Sequence, residues 1–190
     1  MKKVLILIIM LVQAFLFKAC DSTNSEKKNK DLETSTYLTN QSNVDQDAVN
    51  FLKGASLSSI MEVEFAKIAE QKAKNQSVKN FAEMIKIDYT KVFNEMKKLA
   101  TEKKILLPII MESTGTDSLK QLETLSGSEF DRNYMRLTIS NHEASIKNFE
   151  QGADNRDAAV NKFAAGKIEI LKSHLNSARS IYNSLDINRQ

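Results

Sequence analysis

Apolar residues recur along most of this chain at alternating steps of three and four positions, which is the spacing of one face of an α-helix. The pattern predicts four long helices, at about residues 47–75, 77–104, 128–152 and 154–185. Each would be about 40 Å long at the helical rise of about 1.5 Å per residue. Only five glycines and one proline interrupt the chain, so few turns and no strands are expected. The predicted fold class is all-α.

The segments between these helices set the predicted topology. Ser77 is a candidate cap for the second helix, and Ser126 or Ser128 for the third. Pro108, in the apolar stretch ILLPII, is expected to stop the second helix, and residues 117–125 to form a short connecting helix. The turns after the first and third helices are short, so their neighbours should be antiparallel. The simplest arrangement that buries all four apolar faces is an up-down-up-down, ferritin-like four-helix bundle.

Each predicted helix carries a polar residue among its interior positions. In the third helix these positions are Met135, Ile139, His142, Ile146 and Phe149. Counted from the middle of each helix, Glu62, Asp88 and His142 fall near one level of the bundle. His174 falls about 9 Å away along the bundle axis, on the other side of the midplane. A cluster of three polar residues is therefore predicted, with the second histidine apart from it.

Two interpretations of this cluster are open. Histidine and carboxylate side chains bind zinc and iron, so the cluster could hold one metal ion. The candidate ligands are Glu62, Glu64, Asp88, His142 and His174. In the alternative, His142 donates one ring N–H to Glu62 or Asp88, and the buried pair fixes the register of the helices. Tyr89 and Tyr134 would then be core aromatics with hydrogen-bonded hydroxyls.

The spacing does not fit the two-iron sites of ferritin-like bundles. Such sites take a Glu-x-x-His pair from each of two helices, whereas Ile139 and Leu171 stand three positions before the histidines. Neither a glycine-rich phosphate loop nor a His-Glu-x-x-His or Gly-x-Ser-x-Gly sequence occurs. No catalytic residue is assigned, and no cofactor is expected beyond a single iron or zinc ion.

The first twenty residues have the features of an export signal. Lys2 and Lys3 precede an apolar segment at residues 4–17, which is shorter than the roughly 20 residues of a membrane-spanning helix. Cys20, the only cysteine of the chain, follows directly. The arrangement resembles a bacterial lipoprotein signal, in which residues 1–19 are removed and the cysteine is lipidated. The alternatives are an uncleaved anchor and an ordinary secretory signal, and all three place the domain outside the cytoplasm.

Residues 20–45 are polar and show no periodicity. They are expected to be a flexible tether with an end-to-end distance of about 25 to 30 Å, followed by the bundle domain at 46–187. Removal of the signal would take away three lysines and no acid, so the formal charge would fall from +3 to zero. Lysine and glutamate alternate along the helices, which leaves no concentrated positive surface, and nucleic acid is not an expected partner.

Three stretches resemble the bacterial family known as domain of unknown function 4142. They contain the motifs MEVEFAKIAEQKA, FAEMIKID and FDRNYM and both helical histidines, and they read DAVNFLKGASLSSIMEVEFAKIAEQKAKNQSVKNFAEMIKIDYT, LSGSEFDRNYMRLTISNHEASIKNFEQGA and KFAAGKIEILKSHLNSA. The resemblance spans about residues 47–185 and implies a ferritin-like bundle, often exported, without an established activity. Family members often have an Asp-His pair in the second helix, whereas Asp88 is followed here by Tyr89.

These observations together predict a lipoprotein on the periplasmic side of the cell envelope, in the outer membrane if the host is Gram-negative. Its expected role is non-enzymatic, either binding an envelope protein or ligand or maintaining the envelope. The alternative is a metal-binding ferritin-like protein with a role in storage, sensing or redox chemistry. A third possibility is self-assembly through the apolar segment at residues 106–111. The oligomeric state is not predicted.

Overall fold

A computed structural model describes residues 45–187 of the chain, with the side chains of residues 45–185. This part of the chain is an all-helical bundle, in which four long helices pack together and one short helix lies in a connection. The predicted signal, Cys20 and nearly all of the tether lie outside the described residues. The helices are α1 (Gln46–Lys72), α2 (Gln76–Glu102), α3 (Ser113–Glu123), α4 (Gly127–Ala153) and α5 (Ala158–Ile187).

Side-chain caps begin several of these helices. Asp45 accepts a hydrogen bond from the backbone N–H of Asp47 at 3.0 Å and begins α1. At α2 the cap is Asn75, whose side-chain oxygen accepts from the N–H of Ser77 at 2.8 Å. The expected Ser77 cap is therefore wrong by two residues. Asn75 stands directly before the helix, and its side chain already satisfies the free N–H of Ser77. Asp157 caps α5, so that helix begins four residues later than predicted.

The end of α2 does not depend on Pro108. Lys104 has a φ of 56°, in the left-handed region, and the next N–H, that of Ile105, donates to the carbonyl of Ala100 at 2.8 Å. This is the hydrogen-bond pattern of a Schellman motif, here with lysine where glycine is usual. The helix thus stops at Glu102 through its own C-terminal geometry, and the proline belongs to the connection that follows.

The order of helix directions differs from the expected one. Ala73, after α1, forms a β-bridge with Gly127 at the start of α4, and the carboxylate of Asp131 accepts the N–H groups of Lys74 and Asn75 at 2.9 and 2.8 Å. The starts of α2 and α4 therefore lie at the same end of the bundle, and the two helices run parallel. The order is up-down-down-up, and the up-down-up-down prediction is wrong.

A long crossover explains the difference. Residues 103–126 carry the chain back along α1 before α4 begins, and α3 forms within this connection. The Ser56 hydroxyl donates to the carbonyl of Pro108 at 2.7 Å, which fixes the crossover against α1. Because α4 then starts at the far end, both α4 and α5 run opposite to the directions that a short connection would have given them.

One half of the interior is aromatic and apolar. Phe51 and Phe149 meet edge to face with their ring centroids 5.2 Å apart, and Phe163 lies 6.3 and 6.2 Å from them. Gly152 makes room for this packing, since a β-carbon at that position would lie 2.5 Å from the Phe51 ring. The predicted interior face of α1 is confirmed, because each of its members is buried: Ala48, Leu52, Ala55, Ser59, Glu62, Ala66 and Ala69.

Candidate functional site

A fully buried acid and a fully buried histidine meet in the middle of the bundle. Glu62 of α1 and His142 of α4 are both 0% exposed, and Glu62 Oε1 lies 3.7 Å from His142 Nδ1. This distance is too long for a hydrogen bond. The nearer partner of His142 Nδ1 is the carbonyl of Thr138, at 2.8 Å, and the Thr138 hydroxyl donates to Glu62 Oε2 at 3.4 Å.

These contacts determine which ring nitrogen of His142 carries the proton. A carbonyl oxygen only accepts hydrogen bonds, so Nδ1 must be the N–H donor to Thr138. Burial lowers the pKa of His142 to about 4, so the ring is neutral near pH 7. Nε2 is then left as a bare acceptor, and it has no hydrogen-bond partner in the described part of the chain.

The second histidine is oriented in the same manner. His174 of α5 donates from Nε2 to the carboxylate oxygen Oδ2 of Asp88 at 3.0 Å. Burial lowers the pKa of His174, and Asp88 opposes this shift. The other nitrogen, Nδ1, is a buried acceptor without a hydrogen-bond partner among residues 45–185. Asp88 is half-buried at the edge of the interior, with 28% of its side chain exposed.

The two histidines lie against each other, which corrects the predicted depth of His174. Their ring centroids are 5.6 Å apart, and the Tyr89 ring lies 5.5 Å from His142 and 6.2 Å from His174. The predicted separation of about 9 Å assumed that α5 begins near Asp154. It begins four residues later, at Ala158, so the middle of α5 lies closer to His174 and His174 lies closer to the level of His142. The crossover does not change this relation, because it reverses α4 and α5 together.

Charge is kept low around this pair. Burial raises the pKa of Glu62 to about 8, although the side chains of Asn141 and Thr138 oppose the shift. Burial also raises the pKa values of Tyr89 and Tyr134 well above 10, and the nearby Glu62 carboxylate adds to that effect. Near neutral pH the acid and both phenols are therefore mostly protonated. The interior then presents uncharged donors beside the two bare imidazole nitrogens.

Six buried polar atoms converge here without a hydrogen bond of good geometry to another described residue. Polar side chains do lie close to three of the six residues: Asn141 to Glu62, Ser145 to Tyr89 and Thr138 to Tyr134. An unsatisfied buried polar group costs about 1 to 3 kcal/mol, so this interior is not a self-satisfied hydrogen-bonded core. We call the six side chains the polar cluster. The atoms are Glu62 Oε1, the Tyr89 and Tyr134 hydroxyl oxygens, Asn141 Nδ2, His142 Nε2 and His174 Nδ1.

A surface cleft reaches the polar cluster between α1 and α4. Its volume is about 330 Å³, and the crossover covers one side with Met111 and Gly115. Asn141 and Ser145 line the cleft, and their side chains also act on the pKa values of Glu62 and Tyr89 respectively. Ser145 is held by a hydrogen bond of 2.5 Å to Ser58 across the two helices. The same two α4 residues thus form the cleft wall and the edge of the cluster.

The structure separates the five candidate ligands. Glu62 and His142 form one contact and Asp88 and His174 another, with the two rings adjacent. Glu64 does not join them, since its carboxylate pairs with Lys67 at 2.6 Å and is 38% exposed. Within residues 45–187, no three side chains of His, Cys, Asp or Glu are grouped closely enough to hold a metal ion.

Sequence reasoning missed three α4 residues of the site. Thr138 orients His142, Asn141 acts on Glu62, and Ser145 connects the cleft with Tyr89. A signal was available, because Thr138, His142 and Ser145 follow one another at steps of four and three on the buried face. Three polar residues at such steps indicate a polar interior surface rather than one isolated polar residue.

Comparison with solved structures supports the fold. The crystal structure of a DUF305 fragment from Deinococcus radiodurans is similar to this chain with a TM-score of 0.67 and 13% sequence identity, covering 74% of this chain and 98% of that one. This likeness concerns the fold alone.

Comparison with sequence families confirms the resemblance inferred from the sequence motifs. No curated protein matches the chain. Among the described residues, no helix is both long and apolar enough to cross a membrane. A family model matches residues 33–181, most of the chain. The chain therefore belongs to the family described as Domain of unknown function (DUF4142).

Proposed function

We propose that this protein is an exported, lipid-anchored, non-enzymatic binding protein of the cell envelope, and that the polar cluster is its ligand site. The lipoprotein-type signal ending at Cys20 supports the location. The polar cluster carries the proposal for the site. Its six atoms make no hydrogen bond of good geometry in the described part of the chain, and this costs stability that a purely structural core would not retain. The single long crossover also supports a bundle of the ferritin-like kind.

The chemistry of the cluster defines the ligand class. His142 Nε2 and His174 Nδ1 are acceptors, whereas the protonated Glu62 carboxyl and the two phenols are donors. A small, uncharged polar molecule that both donates and accepts hydrogen bonds would satisfy them together. It would enter through the cleft, whose polar wall at Asn141 and Ser145 leads to the same atoms.

Native mass spectrometry of the protein isolated from its own membranes tests this function. We expect the wild-type chain to carry a small molecule and the His142→Leu variant to lose it. Glu143→Gln is the matched control, because Glu143 is adjacent in sequence but pairs with Arg179 at the surface, at 2.6 Å. Equal occupancy in wild type and His142→Leu would contradict the proposal. So would a wild-type chain that is isolated without a ligand and still shows no increase in mass after incubation with small-molecule extracts of the same cells.

The lipid anchor has its own test. The mature chain should begin at Cys20 and carry acyl groups, which mass spectrometry of the N-terminal peptide measures directly. Cys20→Ser should be unprocessed and unacylated. Recovery of the intact, unmodified precursor from the cytosol would contradict the envelope location and leave the mass-spectrometric test of the polar cluster unaffected.

A second function is favoured by the orientation of the two histidines. Each ring donates one N–H to an oxygen, from the Thr138 carbonyl or the Asp88 carboxylate, and this is how metal-binding histidines are commonly held. His142 and His174 would offer their remaining ring nitrogens to one iron or zinc ion. Glu62 lies on the Nδ1 side of His142, and no third histidine, cysteine or carboxylate is grouped with the two rings within residues 45–187, so water would have to complete the coordination. The missing Glu-x-x-His pairs mean that a two-iron site does not fit.

Metal analysis of tag-free protein separates the two functions. A metal-binding protein should contain about one equivalent of iron or zinc and lose it in His142→Ala and His174→Ala. Glu64→Gln should retain it, since Glu64 faces solvent beside Lys67. Metal-free protein whose melting temperature does not change with added iron or zinc would refute metal binding, because a ligand of the folded state must stabilise it.

A further inference from the structure

Large aliphatic side chains are exposed on the crossover and on the neighbouring part of α2. Leu106, Ile109 and Ile110 of the crossover are 72%, 75% and 75% exposed, and Ile87 of α2 is 58% exposed. Ile87 and Ile109 line one groove between α1 and α2. Large exposed apolar patches usually mark an interaction site. We give the name apolar face to the four exposed residues together with two partly buried residues that line the groove, Ile60 and Phe93. The exposed residues are Ile87, Leu106, Ile109 and Ile110.

The crossover holds this surface in place. The chain leaves α2 through the Schellman motif at Lys104, and the carbonyl of Pro108 is bonded to Ser56 of α1. Between these two fixed points the side chain of Ile105 is buried, whereas that of Leu106 points to solvent. Ile109 and Ile110 follow directly after the second point and are also exposed. The fold therefore fixes the exposure of these side chains, because the segment that carries them is held by the Schellman motif and by the bond to Ser56.

Lysines border the apolar face. Lys67, Lys86 and Lys97 line the groove beside Ile87 and Ile109. Lys67 pairs with Glu64 and Lys86 with Glu70, so the net positive charge of this border is that of Lys97. Aliphatic side chains surrounded by lysines are the composition of protein surfaces that rest on a bilayer, where the apolar groups enter the acyl boundary and the cations meet anionic headgroups. The long lysine side chains can also reach from the apolar level to the headgroups.

The chain that leads to Cys20 enters the bundle at the end where the apolar face begins. The Asp45 carboxylate, just before α1, lies 3.6 Å from the guanidinium of Arg156. Asp157, which follows Arg156 in the chain, pairs with Lys103 near the end of α2. Leu106 follows three positions later. A tether with a reach of about 25 to 30 Å would hold this end close to the lipid, and so raise the effective concentration of bilayer around it.

We propose that the apolar face docks on the surface of the anchoring bilayer, with Leu106, Ile109 and Ile110 entering its acyl boundary. The occupant is a membrane that contains anionic lipid. The proposal rests on the lipid anchor proposed above. Docking would fix the orientation of the bundle on the membrane instead of leaving it free on its tether. The cleft, which the crossover borders on its other side at Met111, would then open beside the membrane surface.

The chain contains no tryptophan, so a single introduced tryptophan reports its own environment. Ile110→Trp places the probe on the apolar face. Lys147→Trp is the matched control, at an exposed position of α4. Each full-length, acylated variant is reconstituted into vesicles of phosphatidylethanolamine and phosphatidylglycerol, with and without brominated acyl chains. We expect a blue shift and loss of emission for Ile110→Trp in brominated vesicles, and neither change for Lys147→Trp.

Flotation of the same vesicles separates the docking from the anchor. If the chain floats with lipid but both probes emit alike, the anchor stands and the docking proposal is wrong. If the chain does not float, the anchor fails and the docking proposal fails with it. A blue shift of Ile110→Trp that depends on protein concentration and also occurs without lipid would instead assign the apolar face to a second copy of this chain, and would overturn membrane docking.

Discussion

The interior of this bundle contains two regions that α1 and α4 both build. In the aromatic region, Phe51 and Phe149 pack edge to face and leave no polar atom to satisfy. Eleven residues later on α1, about three helical turns, Glu62 faces His142 across the same pair of helices. Six polar atoms there make no hydrogen bond of good geometry within residues 45–185. The same backbone scaffold thus carries a region that stabilises the fold and a region that weakens it.

The difference indicates which region is under functional constraint. Leucine or phenylalanine at the polar positions would extend the aromatic packing and remove the cost of unsatisfied groups. The aromatic region follows the rules of a stable core, whereas the polar cluster breaks them in one place, and such local exceptions are expected at functional sites. The predictions below measure how different the two regions are.

The largest effect is expected from the aromatic region. Phe149→Ala removes a ring that is 1% exposed and leaves a cavity beside Phe51 and Phe163. The free energy of unfolding should fall by about 3 to 5 kcal/mol, measured by urea denaturation with circular dichroism. Ile170→Ala, at a position that is 39% exposed, is the control and should change stability far less. A loss below about 1 kcal/mol for Phe149→Ala would remove the basis of the comparison.

The sequence predicted the aromatic region better than the polar one, for a physical reason. Burial follows helical periodicity, which is local, so the interior face of α1 and the seam position of His142 were correctly predicted. The level at which His174 meets His142 depends on where α5 begins. Either Asp154 or Asp157 could cap that helix, and Asp157 does so. The order of helix directions depends on the crossover that follows the Schellman motif at Lys104, and this stop has no strong local signal, since glycine, not lysine, usually marks it.

The second prediction concerns the pH dependence of stability. Glu62 has a pKa of about 8 in the folded protein against an ordinary value of 4.5, so between these values the folded chain keeps a proton that the unfolded chain has released. Raising the pH therefore favours unfolding. His142, at about 4 instead of 6.5, has the opposite effect, and so does His174, with its lowered pKa. Glu62 thus acts alone among these three groups from about pH 6.5 to 8.

In that window the free energy of unfolding should fall by about 2 kcal/mol, at about 1.4 kcal/mol per pH unit. Tyr89 and Tyr134 remain neutral throughout and do not contribute, because their pKa values are raised. Urea denaturation at a series of pH values, with a chelator present, measures the slope. Glu62→Gln should abolish it and Glu64→Gln should keep it. A wild-type curve that is flat from pH 6.5 to 8 would mean that Glu62 is ionised in the folded state.

The third prediction distinguishes a functional histidine from a structural one. His142→Leu removes the unpartnered Nε2 and fills the space with apolar atoms, while the Thr138 carbonyl keeps its helical backbone partner. We expect the ligand-free protein to become more stable by about 1 to 2 kcal/mol, seen as a higher melting temperature. A loss of that size would assign His142 a role in fixing helix register, as the alternative interpretation of the sequence held.

The smallest effect tests whether the cost is spread over the whole polar cluster. Tyr134 is fully buried, and its hydroxyl makes no hydrogen bond of good geometry among the described residues, although the Thr138 side chain lies close to it. Tyr134→Phe therefore removes a poorly satisfied group with little change of shape. The free energy of unfolding should rise by about 0.5 to 1 kcal/mol. Tyr182→Phe is the control, because the Tyr182 hydroxyl accepts from Arg132 at 3.4 Å near the surface, and its loss should give no gain. If Tyr134→Phe is destabilising in ligand-free protein, the Tyr134 hydroxyl is satisfied in solution, and the instability of the polar cluster lies in its other five members.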